Sequence, residues 1–176
     1  VQNTYDAQNR VVKQLDLAGR PNILSYGSGF TRTVDAAGRA TVYRYDTRGR
    51  TVAIEYPNGD KVERSYGANN TLTSDENGAY TYDAQGNRLS RTSPDGHTTR
   101  WGYDGKNRVT SETAPDGAVA TYTYDAKGNL VRVDHPATGA TTFTYDAQGR
   151  MTSKADADGV WERYTWSGAL MTAKET

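Results

Sequence analysis

The sequence predicts an all-β protein: tandem hairpins of about 21 residues joined into one continuous, curved antiparallel sheet. Three observations predict it. A Tyr-Asp dipeptide at a turn recurs along the 176-residue chain, a second turn signal follows each aromatic about 14 residues later, and the segments between them alternate with period two.

The first turn is read in Tyr5-Asp6-Ala7-Gln8-Asn9-Arg10 and again in Tyr45-Asp46-Thr47-Arg48-Gly49-Arg50. It returns as Tyr82-Asp83-Ala84-Gln85-Gly86-Asn87-Arg88, Tyr103-Asp104-Gly105-Lys106-Asn107-Arg108, Tyr124-Asp125-Ala126-Lys127-Gly128-Asn129 and Tyr145-Asp146-Ala147-Gln148-Gly149-Arg150. Degenerate copies stand at Tyr26-Gly27, Tyr66-Gly67 and Trp166-Ser167, and the last four spacings between the aromatics are all 21. The Tyr closes a strand and packs on the sheet, where its hydroxyl is expected to meet water. The Asp accepts backbone N–H groups of the turn, and the Gly takes the left-handed conformation. The Arg or Asn opens the next strand.

The second turn carries Gly19, Gly38, Gly59, Gly78, Gly96, Gly117, Gly139 and Gly159, preceded by Asn or Asp in five copies. Asn-Gly and Asp-Gly are strong hairpin signals because these residues tolerate positive φ. Between the turns, Thr121-Tyr122-Thr123-Tyr124 and Thr142-Phe143-Thr144-Tyr145 put aromatics on one face. Return strands such as Leu130-Val131-Arg132-Val133 are rich in β-branched residues. No stretch has helical periodicity. About 16 strands are expected, with an aromatic column running across the sheet. Tyr66 to Tyr82 spans only 16 residues, so that hairpin is expected to be short, with Asn87 as an extra residue accommodated by a bulge.

Composition narrows the function. Lys plus Arg and Asp plus Glu are 21 each, which leaves no basic excess to neutralise nucleic-acid phosphates or anionic lipid. The chain has no cysteine, so disulfides, thiolate metal sites and cysteine nucleophiles are excluded. No apolar run is long enough to span a membrane, and the first residues do not form a signal peptide. Those residues already lie inside the repeat pattern, so the chain is expected to be part of something longer. Mean hydropathy is −0.86, yet 13 Tyr argue against disorder. The expected organisation is a single array of about eight repeats over 1–176, with no separate second domain.

A unit of the form Tyr-Asp-x-x-Gly-Arg-[Leu/Val] followed by Pro-Asp-Gly resembles the YD repeat of the Rhs (rearrangement hotspot) family, and the resemblance covers the whole chain. It implies a ribbon of hairpins wound into a hollow shell, as in type VI secretion effectors, insecticidal Tc toxins, contact-inhibition toxins and teneurins. It further implies a bacterial, secreted or cell-surface parent protein, whose partners are the rest of the shell and an enclosed toxin domain. The Pro-x-x-x-x-Asp-Pro-x-Gly motif that ends such repeat regions is missing, as is a toxin-like segment after Trp166, so neither cargo nor self-cleavage is assigned to these residues.

No enzyme, cofactor or metal site is expected. His97 and His135 are read as turn residues, and the recurring Asp residues as turn caps rather than acid–base pairs. Lys154-Ala155-Asp156-Ala157-Asp158-Gly159 resembles the start of a calcium loop, but Lys154 stands at the first ligand position and Thr165 at the twelfth. Trp101, Trp161, Trp166 and the tyrosines suit a sugar-binding surface, so a carbohydrate- or wall-binding repeat module is the alternative from another functional class. An excised or engineered repeat segment with only a structural role is a third. About 16 strands at roughly 4.8 Å make a ribbon of about 77 Å, too short to wrap a domain. An open arc is therefore expected, with terminal strands free for self-association.

Overall fold

In the computed structural model the structure describes residues 1–159 and 161–176, and the described residues form strands and turns without helix. The first seven strands are β1 (Gln2–Tyr5), β2 (Val11–Leu15), β3 (Pro21–Gly27), β4 (Phe30–Val34), β5 (Ala40–Tyr45), β6 (Thr51–Glu55) and β7 (Lys61–Glu63). They are followed by β8 (Ser65–Tyr66), β9 (Leu72–Asp75), β10 (Gly78–Tyr82), β11 (Arg88–Thr92), β12 (Thr98–Tyr103) and β13 (Val109–Thr113). The last six are β14 (Val119–Tyr124), β15 (Leu130–His135), β16 (Gly139–Tyr145), β17 (Met151–Ala155), β18 (Trp161–Ser167) and β19 (Leu170–Glu175). Every pairing is between chain neighbours and antiparallel, and neither of the two sheets, β1 to β7 and β8 to β19, closes on itself. The chain divides into two compact units, residues 1–79 and 80–176.

The expected single sheet is thus two. In a regular repeat the strand entering a Tyr-Asp turn shares one residue between its neighbours: Arg100 faces both Ser90 and Thr113, and Thr121 faces both Ser111 and Asp134. In the run 61–66, residues 61–63 pair with β6 and residues 65–66 pair with β9. Arg64 falls between, its N–H donating to the Val52 carbonyl at 2.9 Å. The ladder changes sides with no shared residue, because the shortened β9 reaches only Ser65 and Tyr66. Nine aromatics each close one strand and open another, and the break at Arg64 adds one more, which gives nineteen strands rather than sixteen.

The short repeat is accommodated by a two-residue turn, Glu76-Asn77, where Asp75 faces Gly78 directly. Asn87 is not an insertion. It occupies the position of Arg108 and Asn129, with the same Asp83 N–H to Asn87 carbonyl bond at 3.0 Å. The bulge belongs to the turn itself, since the register shifts at the aromatic in hairpin after hairpin, at Tyr5, Tyr45, Tyr103, Tyr124 and Tyr145.

The sheets are thin. Ala53, Ile54 and Ala120 are the buried hydrophobic residues, and no large side chain among the described residues is completely enclosed. Alternation still distinguishes the faces: along β14, Ala120, Tyr122 and Tyr124 are covered, while Val119, Thr121 and Thr123 are exposed.

The Tyr-Asp turns and the Tyr66-Gly67 copy share one left-handed position, four residues after the Tyr. Gly49, Gly86, Gly128 and Gly149 hold it at φ 76–96°, whereas Asn9, Asn70 and Asn107 hold it at φ 60–61°. A β-branched residue is strained in that region by about 1–2 kcal/mol, while Asn enters it readily. Gly128→Val should therefore lower stability by about 1–2 kcal/mol and Gly128→Asn should leave it nearly unchanged. Denaturant melts of the two variants compare them, and equal loss in both would contradict the conformational account.

Candidate functional site

The recurrent polar structure is built at the Tyr-Asp turns. In the turn at Asp104, the Asp N–H donates to the Arg108 carbonyl at 2.9 Å, and the Asn107 N–H donates back to the Asp104 carbonyl at 3.0 Å. Asp104 Oδ1 accepts the N–H groups of Lys106 and Arg108 at 2.9 and 3.0 Å, and Oδ2 accepts Arg108 Nε at 2.8 Å. The same arrangement recurs at Asp6–Arg10, Asp46–Arg50 and Asp146–Arg150. At Asp83 and Asp125 an Asn amide replaces the guanidinium, in both cases at 2.8 Å. The capping role of the Asp was legible in the sequence; the capture of the following Arg was not.

That Arg in turn covers an aromatic of the next repeat, sixteen residues on. The guanidinium carbon lies 4.4 Å from the Tyr26 ring centre for Arg10, 4.7 Å from Tyr66 for Arg50, 4.4 Å from Tyr124 for Arg108 and 5.7 Å from Trp166 for Arg150. Such contacts contribute about 0.5–1 kcal/mol at exposed sites and more where desolvated. Where Asn87 fills the Arg position, Arg88 lies over Trp101 at 4.4 Å instead.

The far end of the ring completes a clamp. Tyr26 donates its hydroxyl to the Val11 carbonyl at 2.7 Å, Tyr66 to Thr51 at 3.1 Å, Tyr103 to Arg88 at 2.8 Å, Tyr124 to Val109 at 2.9 Å and Tyr145 to Leu130 at 2.8 Å. Trp166 uses its indole Nε1–H on the Met151 carbonyl at 2.7 Å. Each acceptor lies fifteen residues back, on the first residue of the preceding return strand. It needs a donor because the next strand pairs only with the later part of that return strand: β14 pairs with Ser111–Thr113 and leaves Val109 outside the ladder. The hydroxyls expected to meet water thus meet a carbonyl. One signal was present: all nine aromatic positions are Tyr or Trp, although the chain has two Phe. At Tyr45 a two-residue turn, Ser28-Gly29, changes the pattern, and the Tyr45 N–H donates to the Gly29 carbonyl at 2.7 Å.

Neighbouring turns are also tied along this edge. Arg50 Nη1 reaches Asn70 Oδ1 at 3.0 Å, Asn87 Nδ2 reaches Asn107 Oδ1 at 2.9 Å and Lys127 Nζ reaches the Ala147 carbonyl at 3.2 Å. Arg150 Nη1 donates to the Gly168 carbonyl. Arg108 Nη1 is buried without a partner, because Gly128 stands where Asn70 supplies its oxygen.

The opposite edge repeats the turn without the clamp. Asp16–Arg20 and Asp35–Arg39 make the same bonds, and the eight glycines of this edge all have positive φ. Yet the Arg20 and Arg39 side chains are 72% and 70% exposed, against 23%, 25% and 29% for Arg50, Arg108 and Arg150.

Other residues singled out from the sequence lie outside this arrangement. His97 Nδ1 pairs with Asp95 Oδ2 at 2.8 Å, and His135 Nδ1 accepts the Ala137 N–H at 3.2 Å. Trp161 is 45% exposed under Arg163. Asp156 Oδ1 accepts the Asp158 N–H at 3.2 Å, and no group of three metal-ligating side chains is assembled among the described residues.

A hairpin array in which six of the nine aromatics are seen to clamp the preceding hairpin defines the class. The RHS Repeat profile matches residues 26–61, 82–119, 103–140 and 124–160, more than half of the chain, and the chain belongs to that family. Among solved structures it is similar to TcdB2-TccC3-TEV, with 17% identity and a TM-score of 0.72 over 96% of this chain and 11% of that one. It is similar to TcdB2-TccC3, with 18% identity and a TM-score of 0.64 over 96% of this chain and 12% of that one. The Photorhabdus luminescens Tc holotoxin pore follows, with 17% identity and a TM-score of 0.56 over 98% of this chain and 13% of that one. These are likenesses of fold, and the chain spans only about an eighth of their length. No curated protein matches.

The clamp generates two expectations. Tyr124→Phe keeps the ring but leaves the Val109 carbonyl unpaired, which should cost about 1 kcal/mol, whereas Tyr124→Ala also removes the surface under Arg108 and should cost about 1–3 kcal/mol. Thermal melts in which Phe equals the parent would remove the hydroxyl from the account.

The second expectation concerns acid. The Arg108 side chain and backbone N–H hold the Asp104 carboxyl at about 2, below its ordinary 3.8. Asp46, Asp83 and Asp125 are lowered by the Arg50, Asn87 and Asn129 side chains, and Asp6 and Asp146 first by the backbone N–H of Arg10 and Arg150. With folded values below unfolded ones, the unfolded chain binds more protons, so this stabilisation is complete above about pH 4 and is lost as pH falls towards about 2. Melts between those limits should show the loss, with a shallower slope in Asp104→Asn.

Proposed function

We propose that the chain is a length of wall in a hollow Rhs shell that holds a toxin or effector domain for delivery. The supporting observation is the clamp. Hydroxyl, carboxylate and guanidinium are spent on joining one repeat to the next, as a wall requires, and membership of the RHS Repeat family together with the fold of the TcdB2-TccC3 structures supports the same reading. The role is structural rather than catalytic, because the titratable groups recur with the repeat instead of converging on one place. The parent protein is a secreted bacterial protein, and the enclosed domain and the rest of the shell are its partners. The exposed strands β1 and β19 are joining edges, towards further repeats or a second copy.

Limited proteolysis of a protein carrying these repeats around a folded domain tests the reading. The enclosed domain should survive, and the pair Arg108→Ala and Arg150→Ala should admit the protease. Digestion of the domain at equal rates with and without the intact repeats would refute enclosure.

A further inference from the structure

We propose that the groove between β13, the turn at 114–118 and the end of β15 binds a primary ammonium group on an aliphatic stem, with the cation held between Glu112 and the ring of Tyr122. The observation that leads there is a charge without a counterpart. Glu112 faces Trp101 on one side and Ala120 on the other, so it stands on the covered face of the sheet, the face of Ala120 and Tyr122. Among the described residues the half-buried Glu112 carboxylate makes no hydrogen bond and no ion pair. The same place two repeats on is answered: Lys154 faces Glu162, and Glu162 Oε1 takes Lys174 Nζ at 2.8 Å. One repeat on, the place is neutral, with Val133 facing Thr141. Glu112 has an alanine where Lys154 has a carboxylate, and a charge drawn partly out of water gains from a partner. That partner is left to come from outside the chain.

The groove has a volume of about 400 Å³, within the roughly 300–1,000 Å³ of small-molecule sites. Ala118, Ala120 and Pro136 give it apolar walls, which suit the methylene stem of an amine. Tyr122 lines it with an aromatic ring, and a cation over such a ring is attracted by its quadrupole, the more so where water is excluded. Burial first, and the Glu112 charge next, raise the Tyr122 hydroxyl above its ordinary 10, so the field of Glu112 reaches the ring. Asp116, which caps the turn with Oδ1 on the Ala118 N–H at 3.0 Å, adds a second carboxylate to the lining. His135, the remaining polar residue there, has Nδ1 committed to the Ala137 N–H at 3.2 Å. No Lys or Arg is among the described lining residues. Two carboxylates alone would be a solvated rim. The ring and the apolar walls select an ammonium on a hydrocarbon stem over a hydrated metal ion, for which no third ligand is assembled among the described residues. A free diamine and the lysine side chain of another polypeptide both carry that chemistry.

This inference is independent of the shell reading. Heteronuclear NMR titrations of the whole chain at constant ionic strength would follow the backbone amides of Ala118, Ala120 and Ala137. The probes are diaminopentane, Nα-acetyl-lysine methylamide and, as a neutral molecule of the same chain length, pentanediol. Saturable shifts are expected with at least one amine by about 10 mM and none with the diol, and the tighter of the two amines names the source. Glu112→Gln, which keeps the shape, should weaken binding by about tenfold or more, and Tyr122→Leu, which removes the ring, by about fivefold or more. Glu162→Gln, outside the groove, should bind like the parent, and melts should show each variant folded. No shift with either amine at about 10 mM, equal shifts with the diol, or undiminished affinity in Glu112→Gln would overturn the proposal.

Discussion

The hydrogen bond from an aromatic ring to a carbonyl fifteen residues back answers a constraint imposed by the sheet. A strand leaving a Tyr-Asp turn pairs along its length with the strand before the turn, but the following strand joins it only near its far end. The carbonyl of its first residue is then left without a partner from the following strand, and a half-covered carbonyl gains from a donor. Tyr124 closes that opening at Val109 and Trp166 closes the equivalent one at Met151, with an oxygen in one case and a nitrogen in the other. The requirement is for a flat apolar body carrying a donor at its tip, which Tyr and Trp satisfy and Phe does not.

Asp and Arg belong to the same device. The Asp fixes the turn with one oxygen and holds the Arg with the other, and the Arg lies on the ring that has just reached back. Three side chains from two successive turns thus depend on one another. Little else is available: with only Ala53, Ile54 and Ala120 as buried hydrophobic residues among the described residues, the sheets have no thick interior to draw on. Stability is then a sum of modest local contributions along the array, as in other repeat proteins.

The two edges show what the aromatic adds. The same Asp-to-Arg turn occurs on both, at Asp46–Arg50 and at Asp35–Arg39, yet only the first Arg is half-buried. Without a ring to lie on, the guanidinium stays in solvent. The second edge is freer to vary, and its first turn residue runs through Asp16, Asp35, Tyr56, Ser93, Ala114 and Asp156 with the turn maintained. Tyr56 belongs to this tolerant edge and is exposed, whereas Tyr66 and Tyr124 are half-buried under Arg50 and Arg108.

Much of this protein was determined by sequence alone, because its information is periodic. Residue spacing located the turns, glycine and Asn the left-handed positions, and period-two alternation the covered face, all of which are local properties of the chain. The capping role of Asp104 was local too, as its partners lie two and four residues away. The reach of Tyr124 to Val109 and of Arg108 to Tyr124 was decided by tertiary structure, since both depend on how far one strand slides along the next. The break at Arg64 has the same origin: register, not composition, decides whether one residue can serve two ladders. Asp116 and His135 meet across a groove for that reason as well, because only the pairing of the strands between them brings two distant turns side by side.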